Sequence, residues 1–408
     1  MVSDDRRVLR DLAMAYMAVC RDGAQEERRT LWRAHNSLKP TRPPIYTRAF
    51  AWNEMEAARC VCADPFYRGF EDRLRRRLFW AALDDDSVFE PWISVDAAWV
   101  SPPEGIWGLP INWIGEHVPG VARAMDPPIV EPEDARRMVA PHHAIDEEET
   151  ARRAAKLEDA IGDIITVDVD RAPLYRSWNG DISTQIAQLR GMEQLMTDMM
   201  ERPEWLHGVL AFMRDGVLRT HEEAERAGDW GLSAHENQAM PYAEELPDPA
   251  PNTPGAARRQ LWYFCASQET TLIGPAMFDE FMLQYQIPIM APFGLVSYGC
   301  CEDLTLKIDV IRRIPNLRRI AVSPMADAAR CAEQIGRDYI LSYRPSPSDM
   351  VGYDFDPERI RRILRRDLAA CRGCHVDITL KDVETVQGDP DRVRNWVRIT
   401  REVIDELW

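Results

Sequence analysis

The chain has 408 residues, of which 50 are basic and 67 are acidic, so its formal net charge is −17. Hydrophobic residues make up 45% and charged residues 29% of the sequence, which is typical of a globular enzyme and excludes a disordered or fibrous chain. The acidic balance argues against nucleic-acid binding. Because no stretch approaches 18 consecutive apolar residues, we expect no membrane span.

The cysteine content and the first helix together predict the cellular compartment. The nine cysteines are odd in number and mostly scattered, so they do not suggest a disulfide framework. The apolar segment 12–20 lies among acidic residues, which indicates an amphipathic helix and not a signal peptide. We therefore expect a cytoplasmic protein with reduced thiols.

Short β-branched runs alternate with helix-compatible segments after an N-terminal helical extension over residues 1–40. The predicted strands are Pro44–Phe50, Ser87–Ala97, Ile164–Asp170, Gly231–Glu236, Leu295–Cys301, Arg319–Pro324, Tyr339–Arg344 and Val376–Asp382. Alternation of strand and helix predicts an α/β fold with a parallel sheet. Eight such units predict that residues 41–408 form a single (β/α)8 TIM barrel.

Two proline-rich segments, 101–141 and 238–259, interrupt this alternation. Each follows a predicted strand, so we expect both to be long loops on the C-terminal face of the barrel, where active sites lie. Long loops in a compact domain are often lids or binding loops, and we interpret these two as lids.

The alternation of side chains along each strand identifies residues that face the barrel axis. On the last predicted strand, three apolar residues alternate with Asp377, Thr379 and Lys381, so these polar side chains are expected to point inward. By the same alternation Asp168 and Asp170 point inward from the third strand.

The mouth of the predicted barrel therefore collects charged and nucleophilic side chains. The set consists of the cations Arg48, Arg344 and Lys381, the acids Asp168, Asp170 and Asp382, and His235, Ser323, Cys300, Cys301 and Glu302. Cations gathered in a concave site indicate a small anionic substrate, such as a carboxylate or a phosphate. A structural ion-pair network is the alternative interpretation.

Two adjacent cysteines and a glutamate end the fifth predicted strand. Thiolates and a carboxylate can bind zinc, so Cys300, Cys301 and Glu302, with His235, are candidate metal ligands. The same segment can instead supply a nucleophilic thiol or pack the barrel interior. Because adjacent strand residues point to opposite faces, one cysteine is expected to face the axis unless the strand ends there.

The sequence lacks the motifs of several common nucleotide-binding and zinc-binding sites. No predicted strand is followed by GxGxxG, and the sequence has neither a GxxxxGK[ST] loop nor an HExxH motif, so these nucleotide and zinc sites are not predicted. Trp52 and Asn53 follow the first predicted strand and either reach the pocket or begin a helix.

Several segments resemble the uroporphyrinogen decarboxylase-like superfamily, and more closely its branch with a Tyr-Gly-Cys-Cys-Glu motif. The segments are Tyr298–Glu302, Ile314–Pro324, Lys381–Asp382, Trp52–Met55, Arg190–Gly191 and Arg202–Glu204. The resemblance covers roughly residues 40 to 405. It implies a (β/α)8 barrel that forms a homodimer. It also implies either cofactor-free decarboxylation or zinc-dependent methyl transfer from a corrinoid protein to a thiol.

The resemblance is incomplete at the positions that determine the chemistry. Zinc-dependent members of the superfamily bind the metal through a His-x-Cys segment and a distant cysteine. Here the matching tripeptide is Tyr298–Gly299–Cys300, and the last strand has Lys381–Asp382 in place of the cysteine. The first strand, Tyr46–Ala49, matches the Met-Arg-Gln segment of the tetrapyrrole decarboxylases only in part, so a tetrapyrrole is not the expected substrate.

The charged residues and the resemblance lead to three hypotheses about the function of the protein. In zinc-thiolate methyl transfer, a corrinoid protein is the methyl donor and zinc activates a thiol. In a metal-free decarboxylase or lyase, Arg48, Arg344 and Lys381 bind a carboxylate and Asp168 protonates a carbanion. The third hypothesis is a non-catalytic barrel that binds a ligand.

The candidate residues are common to these hypotheses. The candidate catalytic residues are Lys381, Asp168, Cys301 and Glu302, and the candidate substrate-binding residues are Arg48, Trp52, Asn53, Asp170, His235, Tyr298, Ser323, Arg344 and Asp382.

Overall fold

The structure is a computed structural model that describes residues 4–48, 50–115 and 124–408. Its α-helices are α1 (Asp4–Cys20), α2 (Ala24–Asn36), α3 (Pro65–Ala81), α4 (Glu147–Ile161), α5 (Ser177–Gly180), α6 (Ile182–Arg190), α7 (Met192–Glu201), α8 (Pro203–Ala227), α9 (Pro275–Phe278), α10 (Gln284–Met290), α11 (Ile308–Ile311), α12 (Ala328–Ile335), α13 (Pro357–Ala370) and α14 (Asp391–Leu407). In this described part of the chain, no helix is both long enough and apolar enough to span a membrane.

The strands are β1 (Ile45–Thr47), β2 (Trp92–Asp96), β3 (Asn112–Ile114), β4 (Ala124–Asp126), β5 (Thr166–Asp170), β6 (Trp262–Cys265), β7 (Leu295–Tyr298), β8 (Leu317–Val322), β9 (Ile340–Tyr343) and β10 (His375–Leu380). Six of them form one parallel sheet in the order β1-β10-β9-β8-β7-β6. Strands β2 and β5 form a separate parallel pair, and β3 and β4 form an antiparallel hairpin.

The prediction of a closed eight-stranded barrel is wrong, although the α/β class is correct. The parallel ladder stops at β1 because two carboxylates occupy its outer edge. Asp86 accepts the Ile45 amide at 2.8 Å, and Asp85 accepts the Thr47 amide at 2.7 Å. A neighbouring strand would have to make these bonds, so the curled six-stranded sheet and the β2–β5 pair are separate ladders.

The other edge of the sheet shows one predicted strand that does not form and one strand that was not predicted. The segment Gly231–Glu236 contains a short 3-10 helix, Leu232–Ala234, in place of the predicted strand. Strand β6 is the edge strand of the sheet instead, and all four of its residues are buried. Because both faces of β6 are covered, its sequence Trp-Tyr-Phe-Cys lacks the polar alternation by which the other strands were predicted.

Most of the second proline-rich segment does not form a lid, although its first residue, Gln238, accepts a hydrogen bond from Arg48 at the predicted mouth. Trp262 lies at the N-terminal end of β6, and its indole donates to the Pro241 carbonyl at 2.8 Å. Arg318, near the start of β8, donates to Glu245 at 2.7 Å. Most of this segment therefore covers the N-terminal ends of the strands, opposite the predicted mouth. The first proline-rich segment includes β3, β4 and a 3-10 helix, Pro132–Arg137, and its residues 116–123 lie outside the described residues.

The N-terminal helices pack against the α/β unit through amphipathic faces. Helix α1 buries Leu9, Ala13 and Tyr16, whose spacing places them on one face that packs with α3. Helix α2 buries Trp32, whose indole donates to the Asp86 carbonyl at 2.7 Å, and Asn36. These contacts confirm helices in the predicted extension, while its status as a separate unit stays a prediction.

Candidate active site

The chain leaves β7 through a sharp turn that brings two sulfur atoms to the same side. Gly299 has a φ of +100°, and a Cβ atom there would lie 2.7 Å from the Leu304 side chain, so the turn requires glycine. The strand has ended at Tyr298, so the alternation of faces no longer applies to the next two residues. As a result Cys300 and Cys301 both point towards Lys381, and their sulfur atoms are 3.7 Å apart.

Lys381 follows β10 and lies at the centre of this cluster. Its Nζ atom is 2.9 Å from the sulfur of Cys300, 3.1 Å from the sulfur of Cys301 and 2.8 Å from a carboxylate oxygen of Asp382. The side chain of Lys381 is buried, whereas Asp382 and Cys301 are exposed. A single ammonium therefore contacts two thiol groups and a carboxylate beside solvent.

Glu302 stabilises the turn through hydrogen bonds from backbone amides. Its two carboxylate oxygens accept the amide hydrogens of Ser267 at 2.8 Å and of Cys300 at 2.7 Å. Glu302 is buried and joins the loops that follow β6 and β7. Its position is therefore beside the cysteines, as predicted, but its hydrogen bonds go to the backbone.

Arg344 follows β9 and supplies a second positive charge next to the cysteines. Its side chain is fully buried, and one nitrogen, Nη2, approaches the Gly299 carbonyl at 3.4 Å. Among the described residues, its Nε and Nη1 atoms have no hydrogen-bond partner. The guanidinium therefore keeps two unused donors in the interior.

These contacts make the two thiols unequal. The hydrogen bond from Cys301 lowers the pKa of Cys300 most, and the charges of Arg344 and Lys381 lower it further, so that it falls to about 6 despite burial. The same hydrogen bond raises the pKa of Cys301. Burial and the Arg344 charge oppose protonation of Lys381, but Cys300 and Asp382 outweigh them and raise the pKa of the ammonium. These contacts therefore favour the thiolate form of Cys300 and the charged form of Lys381.

A cavity of about 620 Å³ opens over this cluster. Its lining residues are Arg48, Trp178, Thr184, Gln188, Gln268, Cys300, Cys301, Lys381 and Asp382. Its volume is in the range of pockets for small molecules. Five of the predicted site residues thus share one cavity, and Arg344 and Glu302 adjoin its cysteines.

The predicted acids of β5 are engaged elsewhere. Asp168 accepts hydrogen bonds from the Ser94 hydroxyl at 2.8 Å and from the Asn252 amide at 2.7 Å. Asp170 forms an ion pair with Arg176. Neither aspartate lines the cavity, so the structure does not support Asp168 as the proton donor there.

Other predicted residues also lie away from the cavity. The Nδ1 atom of His235 accepts the amide hydrogen of Trp262 at 3.2 Å, at the end of β6 opposite Cys300. The Tyr298 hydroxyl donates to Gln286 at 2.7 Å within the helical layer. The Ser323 hydroxyl accepts the Met325 amide at 3.3 Å and lines a separate cavity.

Trp52 and Asn53 do not reach the cavity either. Trp52 is buried, and its indole donates to Asp72 at 2.7 Å. It packs in the core beside Phe79, while Asn53 points into solvent. Of the two alternatives for this segment, the structure has the start of a helix, since Trp52–Glu54 is a 3-10 turn.

The predicted zinc ligands do not fit a zinc site. His235 is at the other end of the sheet, the carboxylate of Glu302 is bonded to backbone amides, and Lys381 contacts both sulfur atoms. Within residues 4–48, 50–115 and 124–408, no group of three His, Cys, Asp or Glu side chains is arranged to hold a metal ion. Of the predicted ligands only the two sulfur atoms remain as donors, one fewer than zinc sites use at minimum. The nearby Asp382 carboxylate, 3.5 Å from the sulfur of Cys301, is itself paired with the Lys381 ammonium at 2.8 Å.

Sequence reasoning missed four lining residues, which are Trp178, Thr184, Gln188 and Gln268. Gln268 follows β6 and would have been found had that strand been predicted, because cavity residues follow strand ends. Thr184 and Gln188 are four residues apart on α6 and so lie on one helical face. Trp178 lies in α5 and packs edge-on against Phe264, which leaves part of its ring for the cavity.

In its fold the protein is similar to a methyltransferase from Methanosarcina mazei, with a TM-score of 0.50 and 11% sequence identity. The alignment covers 92% of this chain and 98% of that chain. No protein-family model and no curated protein matches the sequence. At this level of sequence identity, the comparison shows similarity of fold alone.

Proposed function

We propose that the protein is an enzyme of the uroporphyrinogen decarboxylase-like superfamily that transfers a methyl group, with the Cys300 thiolate as its nucleophile. The observation that carries this proposal is the 2.9 Å contact between Lys381 Nζ and the sulfur of Cys300. The fold, which is similar to that of a methyltransferase, supports the same reaction class.

The lysine and the arginine make the thiol reactive without a metal ion. A thiolate is the nucleophilic form of cysteine, and neighbouring cations stabilise it. The pKa of Cys300, about 6, leaves most of this side chain ionised at neutral pH. Its lone pair forms the new S–C bond while the bond between the methyl carbon and its leaving group breaks, and the leaving group keeps that electron pair.

The cavity suits a small anion. Arg48 and Lys381 supply positive charge, and Thr184, Gln188 and Gln268 supply neutral hydrogen-bonding groups on the other walls. Such groups orient a carboxylate while leaving its reacting end towards the cysteines. As the superfamily resemblance implies, the partner proposed as the methyl source is a corrinoid protein, and the assembly is proposed to be a homodimer.

The test is direct detection of the methyl group on sulfur. Reduced full-length protein is incubated with methylcobalamin, and its cysteine-containing peptides are analysed by mass spectrometry. The expected result is methylation of Cys300, its loss in Cys300→Ser, and its retention in the control Cys374→Ser, a half-buried thiol far along the chain. Methylation of other cysteines alone, or none at all, would contradict the proposal.

A metal-free decarboxylase or lyase is the second candidate, favoured by the unused donors of buried Arg344. Arg344, Lys381 and Arg48 would stabilise the negative charge of a carboxylate substrate. This chemistry uses no sulfur nucleophile. Activity that survives Cys300→Ser but not Lys381→Met would therefore favour a decarboxylase or lyase over methyl transfer. Binding of a ligand without any turnover would instead favour the third hypothesis, a non-catalytic binding protein.

A further inference from the structure

We propose that Cys300 and Cys301 are a site of reversible oxidation by hydroperoxides, at which the two neighbouring thiols close into a disulfide. Their sulfur atoms are already 3.7 Å apart, so they need to approach by about 1.7 Å to form a bond of normal length. This inference concerns the two thiols themselves and does not depend on methyl transfer.

The pair combines one reactive sulfur with one accessible sulfur. Cys301 is exposed and lines the cavity of about 620 Å³, so a small peroxide reaches the pair from solvent. Cys300 lies behind it against Lys381, which holds the thiolate by a contact of 2.9 Å. A cysteine is oxidised more readily when it is a thiolate and when the oxidant can reach it. Here Cys300 provides the thiolate, and its neighbour Cys301 provides the access.

The other seven cysteines lack this combination. Burial raises the pKa of each, which keeps them as thiols. Two other pairs are closely spaced in the sequence. The Cys62 thiol of the pair Cys60 and Cys62 is directed at the Asp5 carbonyl, and the thiols of Cys371 and Cys374 are directed at the carbonyls of Ala328 and Ala332. Lysine, arginine and a second sulfur surround Cys300 alone among the nine.

The reaction proceeds in two balanced steps. The Cys300 thiolate attacks one peroxide oxygen, so an S–O bond forms, the O–O bond breaks, and the leaving alkoxide or hydroxide takes a proton from the Lys381 ammonium. The neutral Lys381 amine then accepts the proton of Cys301, and the resulting thiolate attacks the sulfenic sulfur of Cys300. The S–S bond forms, the S–O bond breaks, and the leaving hydroxide takes a proton from solvent, so the two cysteines lose two electrons while the hydroperoxide gains two.

The product has a predictable consequence for the site. The thiolate beside Lys381 disappears, so any reaction that needs it stops. Because consecutive Cα atoms are only about 3.8 Å apart, less than the usual span of a disulfide, the bond is expected to be easily reduced. The modification therefore works as a reversible block, since exposed or strained disulfides are the labile ones.

The experiment uses reduced full-length protein, hydrogen peroxide, and alkylation with N-ethylmaleimide before peptide mass spectrometry. The expected result is that the peptide with both cysteines loses two hydrogens, that two of the nine thiols escape alkylation, and that dithiothreitol restores both. Lys381→Met is expected to slow this oxidation about tenfold at about pH 5, below the pKa of Cys300, where the thiolate fraction changes about tenfold for one pKa unit.

Two variants test the assignment of roles. Cys301→Ser is expected to stop at a sulfenic acid on Cys300 that dimedone traps, whereas Cys374→Ser is expected to oxidise as the wild type does. The proposal is overturned if both cysteines stay fully alkylated, if Cys371 and Cys374 form the disulfide instead, or if Cys300 proceeds to sulfinic acid with no disulfide. Because the readout is the loss of two hydrogens and its reversal by dithiothreitol, it is distinct from the gain of a methyl group that tests methyl transfer.

Discussion

Lys381 and Cys300 are in contact although their strands are not neighbours in the sheet. Lys381 follows β10, Cys300 follows β7, and strands β9 and β8 lie between them. In a flat sheet three strand spacings separate such ends by about 14 Å, which a lysine side chain cannot span. The contact of 2.9 Å therefore depends on the curl of the six-stranded sheet, which turns the ends of β7 and β10 towards each other.

The first prediction is that Lys381→Met raises the pKa of Cys300 above about 6. Removing the ammonium removes one of the charges that stabilise the thiolate, while the hydrogen bond from Cys301 and the charge of Arg344 remain. We expect alkylation of Cys300 by iodoacetamide at about pH 5, below the pKa, to slow about tenfold for each unit by which the pKa rises. The measurement is the rate of alkylation against pH, with Lys39→Met, an exposed lysine, as control. An unchanged pH midpoint would show that Lys381 does not activate this thiol.

The sequence predicted which residues after β7 and β10 lie together better than it predicted the fold around them. Alternation placed Asp377 and Lys381 on the concave side of β10, and the motif at β7 placed Cys300 and Cys301 beside them. Both inferences rest on the alternation of side chains within one strand and on the position where that strand ends. Each of these features depends on only a few residues. The end of the parallel ladder at β1 depends instead on Asp85 and Asp86, whose carboxylates cap the β1 edge in a way that no periodicity reveals.

The misplaced residues share one cause. Asp168 and His235 were assigned to the mouth because their strands were assumed to belong to a single closed ring. Strand β5 instead pairs only with β2, and the segment of His235 is not a strand. A polar residue at the end of a predicted strand therefore reached the site only where that strand belongs to the six-stranded sheet.

The second prediction concerns the fully buried ion pair of Arg319 and Asp377. Arg319→Leu leaves the Asp377 carboxylate without its main counter-charge inside the protein. We expect a loss of about 3–5 kcal/mol in the free energy of unfolding, the usual effect of removing one member of a buried pair. Urea denaturation measures it, and Arg312→Leu at the exposed pair with Asp309 should cost less than about 1 kcal/mol. Equal losses in the two variants would contradict the argument.

The third prediction is the pH dependence that this pair produces. Burial favours the neutral acid, but Arg319, with hydrogen bonds from His35 and Ser342, lowers the pKa of Asp377 to about 2. A lowered pKa stabilises the folded state above the unfolded value of about 4 and loses that effect as the pH falls towards 2. Denaturation midpoints of the wild type should therefore fall across this window. In Arg319→Leu the pKa of Asp377 rises because burial is no longer opposed by that charge, so the stability lost across this window should shrink or reverse. Identical profiles would show that Arg319 does not set this pKa.

The fourth prediction concerns anion binding by Arg48. Succinate is expected to protect Cys301 from alkylation by occupying the cavity, and Arg48→Gln should weaken this protection about tenfold, because hydrogen bonds to charged groups contribute about 1.5–3 kcal/mol. The concentration for half protection is the quantity to compare, with Arg312→Gln as a surface control. Equal protection in Arg48→Gln and the wild type would remove Arg48 from the binding site.

The last prediction concerns the metal that the superfamily resemblance implies. Because Lys381 contacts both sulfur atoms and Glu302 is bonded to two backbone amides, we expect protein purified without chelators to retain far less than one zinc per chain. In Lys381→Met the ammonium no longer contacts the two sulfur atoms, so added zinc should bind more tightly than it does to the wild type. This gain in zinc affinity should disappear in the double variant that also carries Cys300→Ser. Plasma emission analysis and a zinc-indicator titration measure these values. One zinc per wild-type chain that disappears in Cys300→Ser would show that the cluster rearranges around a metal and that the lysine does not take its place.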